Sequence, residues 1–268
     1  MNRKNSILSI TAILFFIAIV LLLSQTLLFT WSPFRLGYNR FSFRKYDVYS
    51  KQRTLDSIFE HLEDIFLQNE LEHGLSYLKK PEIIICDVKR FKFYIPWLNC
   101  NSAAGVWPKT VYLGSRFTEK SKNPEILIKH ELSHILLLQN YGELACARIW
   151  KHNEWLPEGL AVYVTDGYPR YLSKEEVLNE MGKFGIEYGS QSGDILSGKS
   201  TEEVPISIRY QIYYYFVSFL IERYGEDTFF AFLYAMFDKE EGHKDPFTYH
   251  FHISFEDALI DFYTFLSN

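Results

Sequence analysis

An α+β fold is predicted: a small mixed sheet, then a helical half, with a separate apolar helix at the N-terminus. Three observations carry the prediction. Short runs rich in β-branched and aromatic residues, punctuated by Pro and Gly, crowd residues 82–114. From residue 124 onward apolar residues recur at helical spacing. Residues 5–34 carry no charge. A chain of 268 residues that is 47% hydrophobic has enough apolar material for a sizeable core. Its net charge of −5 leaves no basic footprint for nucleic acid. Aromatic residues reach 18%, which serves either a core or a cleft for apolar side chains.

At the N-terminus, residues 7–29 are mostly Ile, Leu, Phe, Val and Ala, long enough to cross a bilayer, and Trp31 suits its interface. A cleavable signal needs a small-x-small site, and only Ser24-x-Thr26 comes near. Residues 1–31 are therefore expected to be a single-pass membrane anchor, with a cleaved signal as the alternative. Arg3 and Lys4 precede it; Arg35, Arg40, Arg44 and Lys45 follow, so the positive-inside count is near balance. A lone hydrophobic segment at the extreme N-terminus acts as an export signal, and the expected location of the rest is extracytoplasmic. Residues 32–50, aromatic and basic without a period, read as a juxtamembrane linker. The folded domain is expected over residues 51–268.

Within it, Leu55, Ile58, Phe59, Leu62, Ile65 and Phe66 fall at helical spacing and predict an amphipathic helix over a sheet. Residues 82–87, after Pro81, read as a buried strand, 90–95 as a second and 110–114 as a third. Asn123-Pro124 supplies an N-cap and first position for a helix that ends at Tyr141-Gly142. Helices are also expected over 174–184, 206–224, 227–237 and 255–265, with a Gly- and Ser-containing loop at 185–201. Three cysteines form no disulfide framework, although Cys86 and Cys100 flank a possible hairpin and could pair after export, leaving Cys146. His250-x-His252 reads as a structural pair in a polar loop. Nothing in the sequence bears on oligomeric state.

The chemistry centres on His130-Glu131-Leu132-Ser133-His134, an H-E-x-x-H run inside the helix that begins at Asn123-Pro124. Residues i and i+4 share one helix face, so two imidazoles can bind one Zn²⁺ from a rigid support. Glu131 neighbours the first ligand and is placed to take a proton from a water at the open position. Such a run arises by chance in about one or two chains per hundred, so a third ligand decides. Downstream lies Trp155-Leu156-Pro157-Glu158-Gly159-Leu160-Ala161, with Glu158 24 residues after His134.

These two motifs resemble the gluzincin metallopeptidases of the peptidase MA-like clan. The resemblance implies a zincin-like arrangement, with a sheet edge beside the H-E-x-x-H helix, zinc held by His130, His134 and Glu158, and Glu131 as general base. In that family the strand before the motif helix is the edge that substrate backbone pairs with, which implies residues 109–114, bordered by the loop 101–107. The aromatic helix from Tyr210 to Tyr224-Gly225 is similar to a Tyr-led helix of the aminopeptidase branch, which implies Tyr210 as oxyanion donor, with Tyr213 and Tyr214 as rivals. The G-x-M-E-N segment of aminopeptidases is absent; Ser102-Ala103-Ala104-Gly105-Val106-Trp107 has no Glu for a substrate amine. The expected activity is zinc-dependent cleavage of a peptide or protein substrate, of endopeptidase type. The alternative is a catalytically silent zinc module that binds a partner peptide.

Overall fold

Five four-residue strands build one mixed sheet: β1 (Asn39–Ser42), β2 (Asp47–Ser50), β3 (Glu82–Ile85), β4 (Ala104–Trp107) and β5 (Thr110–Leu113), in the order β1-β2-β3-β5-β4. The computed structural model describes residues 13–17, 19, 37–55, 57–86, 104–107, 109–114, 123–167, 171–184, 186, 196, 204–238 and 244–268. Strands β2, β3 and β5 run parallel; β1 and β4 flank them antiparallel. Every residue of β2 and β5 is buried. Parallel strands covered on both faces take near-continuous apolar sequence, and Glu82-Ile83-Ile84-Ile85 and Thr110-Val111-Tyr112-Leu113 are of that kind.

The helices are α1 (Leu62–His73), α2 (Pro124–Tyr141), α3 (Glu143–Asn153), α4 (Trp155–Tyr163), α5 (Lys174–Lys183), α6 (Ile206–Tyr224), α7 (Glu226–Phe237), α8 (Pro246–Phe251) and α9 (Phe255–Ser267). Two apolar clusters result. One joins Tyr46, Phe66, Ile83 and Val111 of the sheet half to Ile128 and Leu132 of α2. The other collects Trp155, Phe216, Phe232 and Phe262 in the helical half, together with Leu137 of α2. The H-E-x-x-H helix thus belongs to both cores, which is why it is apolar on nearly every side. A helix held from both faces has little freedom to shift its two motif histidines.

A buried polar contact fixes its register. Asn69 of α1, fully buried, donates to Tyr77 Oη at 3.0 Å and to the Lys129 carbonyl at 3.5 Å, and accepts from Ser133 Oγ at 3.2 Å. Lys129 and Ser133 each immediately precede a histidine of the motif. On the other side α4 packs on α6 through Gly159. A Cβ there would lie 2.9 Å from the Tyr213 carbonyl oxygen and 2.9 Å from Val217 Cγ2. The backbone oxygen cannot swing aside, so Gly159→Ala is expected to cost about 1–3 kcal/mol by forcing the helices apart. A denaturant titration measures it; an unchanged midpoint would contradict the close α4–α6 contact at Gly159.

Several expectations need correction. Among the described residues the structure is mostly helical, 66%, with a small mixed sheet, against the expected α+β fold of a small mixed sheet, a helical half and an N-terminal transmembrane helix. Among the described residues no helix is long and apolar enough to cross a membrane. Of the proposed anchor over residues 1–31 only 13–17 and 19 are described, helical and exposed, and the remainder lies outside the described residues. The membrane-anchored, extracytoplasmic assignment is therefore withdrawn. Residues 39–42 and 47–50, read as linker, are strands; Tyr46 and Val48 are buried in the sheet core. The strand at 110–113 is interior, and the edge is β4, which had been read as loop. Asn123 precedes α2 without a side-chain cap bond. His250 lies on α8 and His252 at its C-cap rather than in a loop. Residues 90–95 and Cys100 lie outside the described residues, so neither the second strand nor the disulfide is addressed; Cys86 and Cys146 are buried.

Candidate metal centre

His130 and His134 project from one face of α2, one turn apart, and their rings meet edge to face with centroids 4.9 Å apart at 88°. Glu158 comes from the first turn of α4, where Pro157 needs no backbone N–H partner. All three side chains are buried. Glu158 Oε2 lies 3.4 Å from His130 Nε2 and 3.5 Å from His134 Nε2. The three donor atoms fall within 4.8 Å of one another, the one such group of His, Cys, Asp or Glu among the described residues.

These distances suit an ion better than hydrogen bonds. A separation of 3.4–3.5 Å is long for N–H···O. By contrast, donors bonded at about 2.0–2.1 Å to a tetrahedral ion stand about 3.3–3.4 Å apart. Glu158 Oε2 is buried with no hydrogen-bond partner, and a buried carboxylate oxygen left so is costly unless a cation answers it. Two imidazoles and one carboxylate are therefore a buried set that can hold a metal ion.

The electrostatics agree. Burial by itself raises the Glu158 carboxyl, but the adjacent imidazoles, His134 first and then His130, hold it well below the usual range. Glu158 stays an anion. Glu131, half-buried, differs: burial pushes its carboxyl up to about 7, His130 opposes the rise and Glu158 adds to it. Two carboxyls close together thus have well-separated proton affinities, the pattern expected of a ligand and a proton acceptor.

Tyr210 reaches the same place from α6. Its ring stacks on His130 with centroids 5.9 Å apart at 23°. Burial first, and the Glu158 carboxylate next, hold its phenol well above the ordinary value, so it keeps its proton. Its rivals do not converge on the metal-binding group. Tyr213 donates from its hydroxyl to Glu154 Oε2 at 3.1 Å, where Arg209 Nη1 also donates at 2.9 Å. Tyr214 packs among Tyr163, Tyr171 and Tyr215.

One neighbour has no motif to announce it. Trp150 of α3 donates its indole N–H to Glu158 Oε1 at 3.0 Å and presents its ring edgewise to His134. It is half-buried on a helix whose only fully buried residues are Cys146 and Ile149. Nothing in its sequence marks it out, and no spacing rule points from it to the site. His73 is another buried neighbour of α2: its Nδ1 lies 2.8 Å from the Asn69 carbonyl, and burial lowers its ring to about 4, so it is neutral at ordinary pH.

No protein-family model matches this chain, and no curated protein matches it. The His130, His134 and Glu158 group is compatible with an H-E-x-x-H metal centre on its geometry alone.

Proposed function

We propose that this chain is a zinc-dependent peptidase that cuts within peptide chains. The observation that carries the reading is the orphaned oxygen of Glu158, buried between two imidazole nitrogens, with Glu131 one residue from His130. His130, His134 and Glu158 would hold the zinc, which supplies Lewis acidity to polarise a scissile carbonyl and to acidify a water. Glu131 accepts the proton of the attacking water and returns it to the departing amine nitrogen. In balance, the water oxygen bonds to the carbonyl carbon, the C–N bond breaks and the amine leaves protonated. Tyr210 donates its O–H to the oxygen that gains charge in the tetrahedral state. His130 and Tyr210 stack, so that donor and ligand keep a fixed relation.

Endopeptidase action is supported by two features. The segment 102–107 has no carboxylate to take a free amine. Strand β4, which lies there, pairs only with β5 among the described residues and leaves an edge to which extended backbone can add. A structural zinc takes four protein ligands and has no use for an adjacent base. The three-donor set beside Glu131 therefore favours turnover over silent peptide binding.

The test is cleavage of a mixed peptide library by the zinc-loaded full chain. Internal cuts that chelator abolishes and zinc restores are expected; no cleavage by the loaded chain would overturn the proposal. Within that assay Tyr210→Phe should lower kcat by roughly 10²–10³-fold while KM moves little. Tyr213→Phe and Tyr214→Phe should keep kcat, since one loses a bond to Glu154 and the other packs among aromatic rings. Native kcat in Tyr210→Phe would remove it as the oxyanion donor.

A further inference from the structure

A carboxylate ligand has two oxygens and a rotatable terminal bond, so something must decide which oxygen faces the ion. Here Glu158 Oε2 faces both His130 Nε2 and His134 Nε2, and Oε1 faces away. Trp150 Nε1 donates to that Oε1 at 3.0 Å. An indole nitrogen is a donor only. It can occupy one oxygen without ever competing for a cation, unlike a histidine or a carboxylate in the same place. The Trp150 ring also stands against His134, centroids 5.2 Å apart at 69°, so one side chain touches two of the three metal-binding residues.

The helices that carry the pair make the contact rigid. α3 ends at Asn153, α4 starts at Trp155, and a single residue, Glu154, joins them. Glu154 is itself held from α6 by Arg209 at 2.9 Å and by the Tyr213 hydroxyl at 3.1 Å. The angle between α3 and α4, and with it the Trp150-to-Glu158 distance, is clamped from the helical core.

We infer that Trp150 is a positioning residue for the third metal ligand, its indole N–H occupying Glu158 Oε1 so that Oε2 is presented to the ion. This rests on the metal centre proposed above. It places the support of the site on a helix outside both motifs.

The test is zinc affinity of the full chain, read by competition with a chromogenic chelator, with thermal melting of the metal-free chain as a fold control. Trp150→Phe keeps a ring against His134 and removes the N–H. It should weaken zinc binding by about 10–100-fold, the usual cost of losing a partner that orients a ligand. Trp150→Gln puts an amide N–H, a donor that does not bind a cation, at the same place along the side chain as the indole Nε1, with less packing, and should recover most of the affinity. Cobalt serves as a second probe: its visible spectrum should change in the Phe variant and less in the Gln variant. If Trp150→Phe binds zinc as tightly as the native chain, the inference is overturned. If Trp150→Gln binds zinc as weakly as Trp150→Phe, the N–H is not what matters, and the inference is again overturned. A native chain that takes up no zinc overturns the metal centre itself.

Discussion

Replacing Glu131 by Gln is expected to lower kcat for peptide cleavage by about 10²–10⁴-fold or more, while zinc content stays at that of the native chain. Glu131 stands beside His130 without joining it: the group that could hold a metal ion is His130, His134 and Glu158, and Glu131 is not in it. Gln is nearly the same size, so α2 should not move in either core. What Gln lacks is the ability to take a proton. Its effect should therefore fall on chemistry, with KM and melting temperature near native. The same variant separates the two functions considered for this chain. A peptide-binding module without turnover has no rate to lose and should bind its peptide as before. A variant that loses its zinc along with its rate would instead make Glu131 part of the support of the centre.

Loss of Glu158 should act in the opposite way, on the metal first. Glu158→Ala removes one of three donors and is expected to weaken zinc affinity by more than the roughly 10–100-fold typical of supporting residues. It also strips the Trp150 indole of its acceptor. An N–H left unsatisfied in a half-buried place should add a stability loss of about 1–3 kcal/mol. Glu158→Gln divides these effects, because its amide oxygen can still accept from Trp150 while the anionic donor is gone. Its melting temperature should lie nearer the native value than that of the Ala variant, with zinc affinity still low. Competition with a chelator and thermal melting give both quantities. Full zinc occupancy in Glu158→Ala under limiting metal would exclude Glu158 as a ligand.

The site was legible in the sequence to the extent that its residues are joined by helical arithmetic. His130 and His134 are one turn apart on one helix, so local spacing was enough to nominate them, whereas Glu158, 24 residues further on, was nominated through the family resemblance of residues 155–161. Tyr210 could be nominated only among three tyrosines, since choosing between them needs the direction in which α6 packs on α4. Trp150 could not be found at all. Its contact with Glu158 spans the joint between α3 and α4 at Glu154, eight residues along the chain, and no spacing rule announces it.

The sheet was less legible, for a related reason. The strands are four residues long, too short for alternation to establish itself. Strands β1 and β2 are hidden in an aromatic, basic segment whose composition resembles a linker; the burial of Tyr46, Val48 and Tyr49 in the core reveals its role. Strand order depends on pairings between residues tens of positions apart, such as Tyr49 with Ile84 and Ile84 with Tyr112. Local pattern contains no term for that, and so β5 was taken for the edge that β4 provides. The helices of the second half fared better. Long periodic runs ending at Gly, as at Tyr224-Gly225, state their own limits.

The most direct measurement of the central claim is zinc stoichiometry of the full chain after dialysis against metal-free buffer, combined with X-ray absorption at the zinc edge. The account predicts one zinc per chain, a first shell of nitrogen and oxygen only, and outer-shell scattering from two imidazoles, all lost in the His130→Ala, His134→Ala double variant. A chain that retains no zinc, or one whose zinc has sulfur in its first shell, would contradict it.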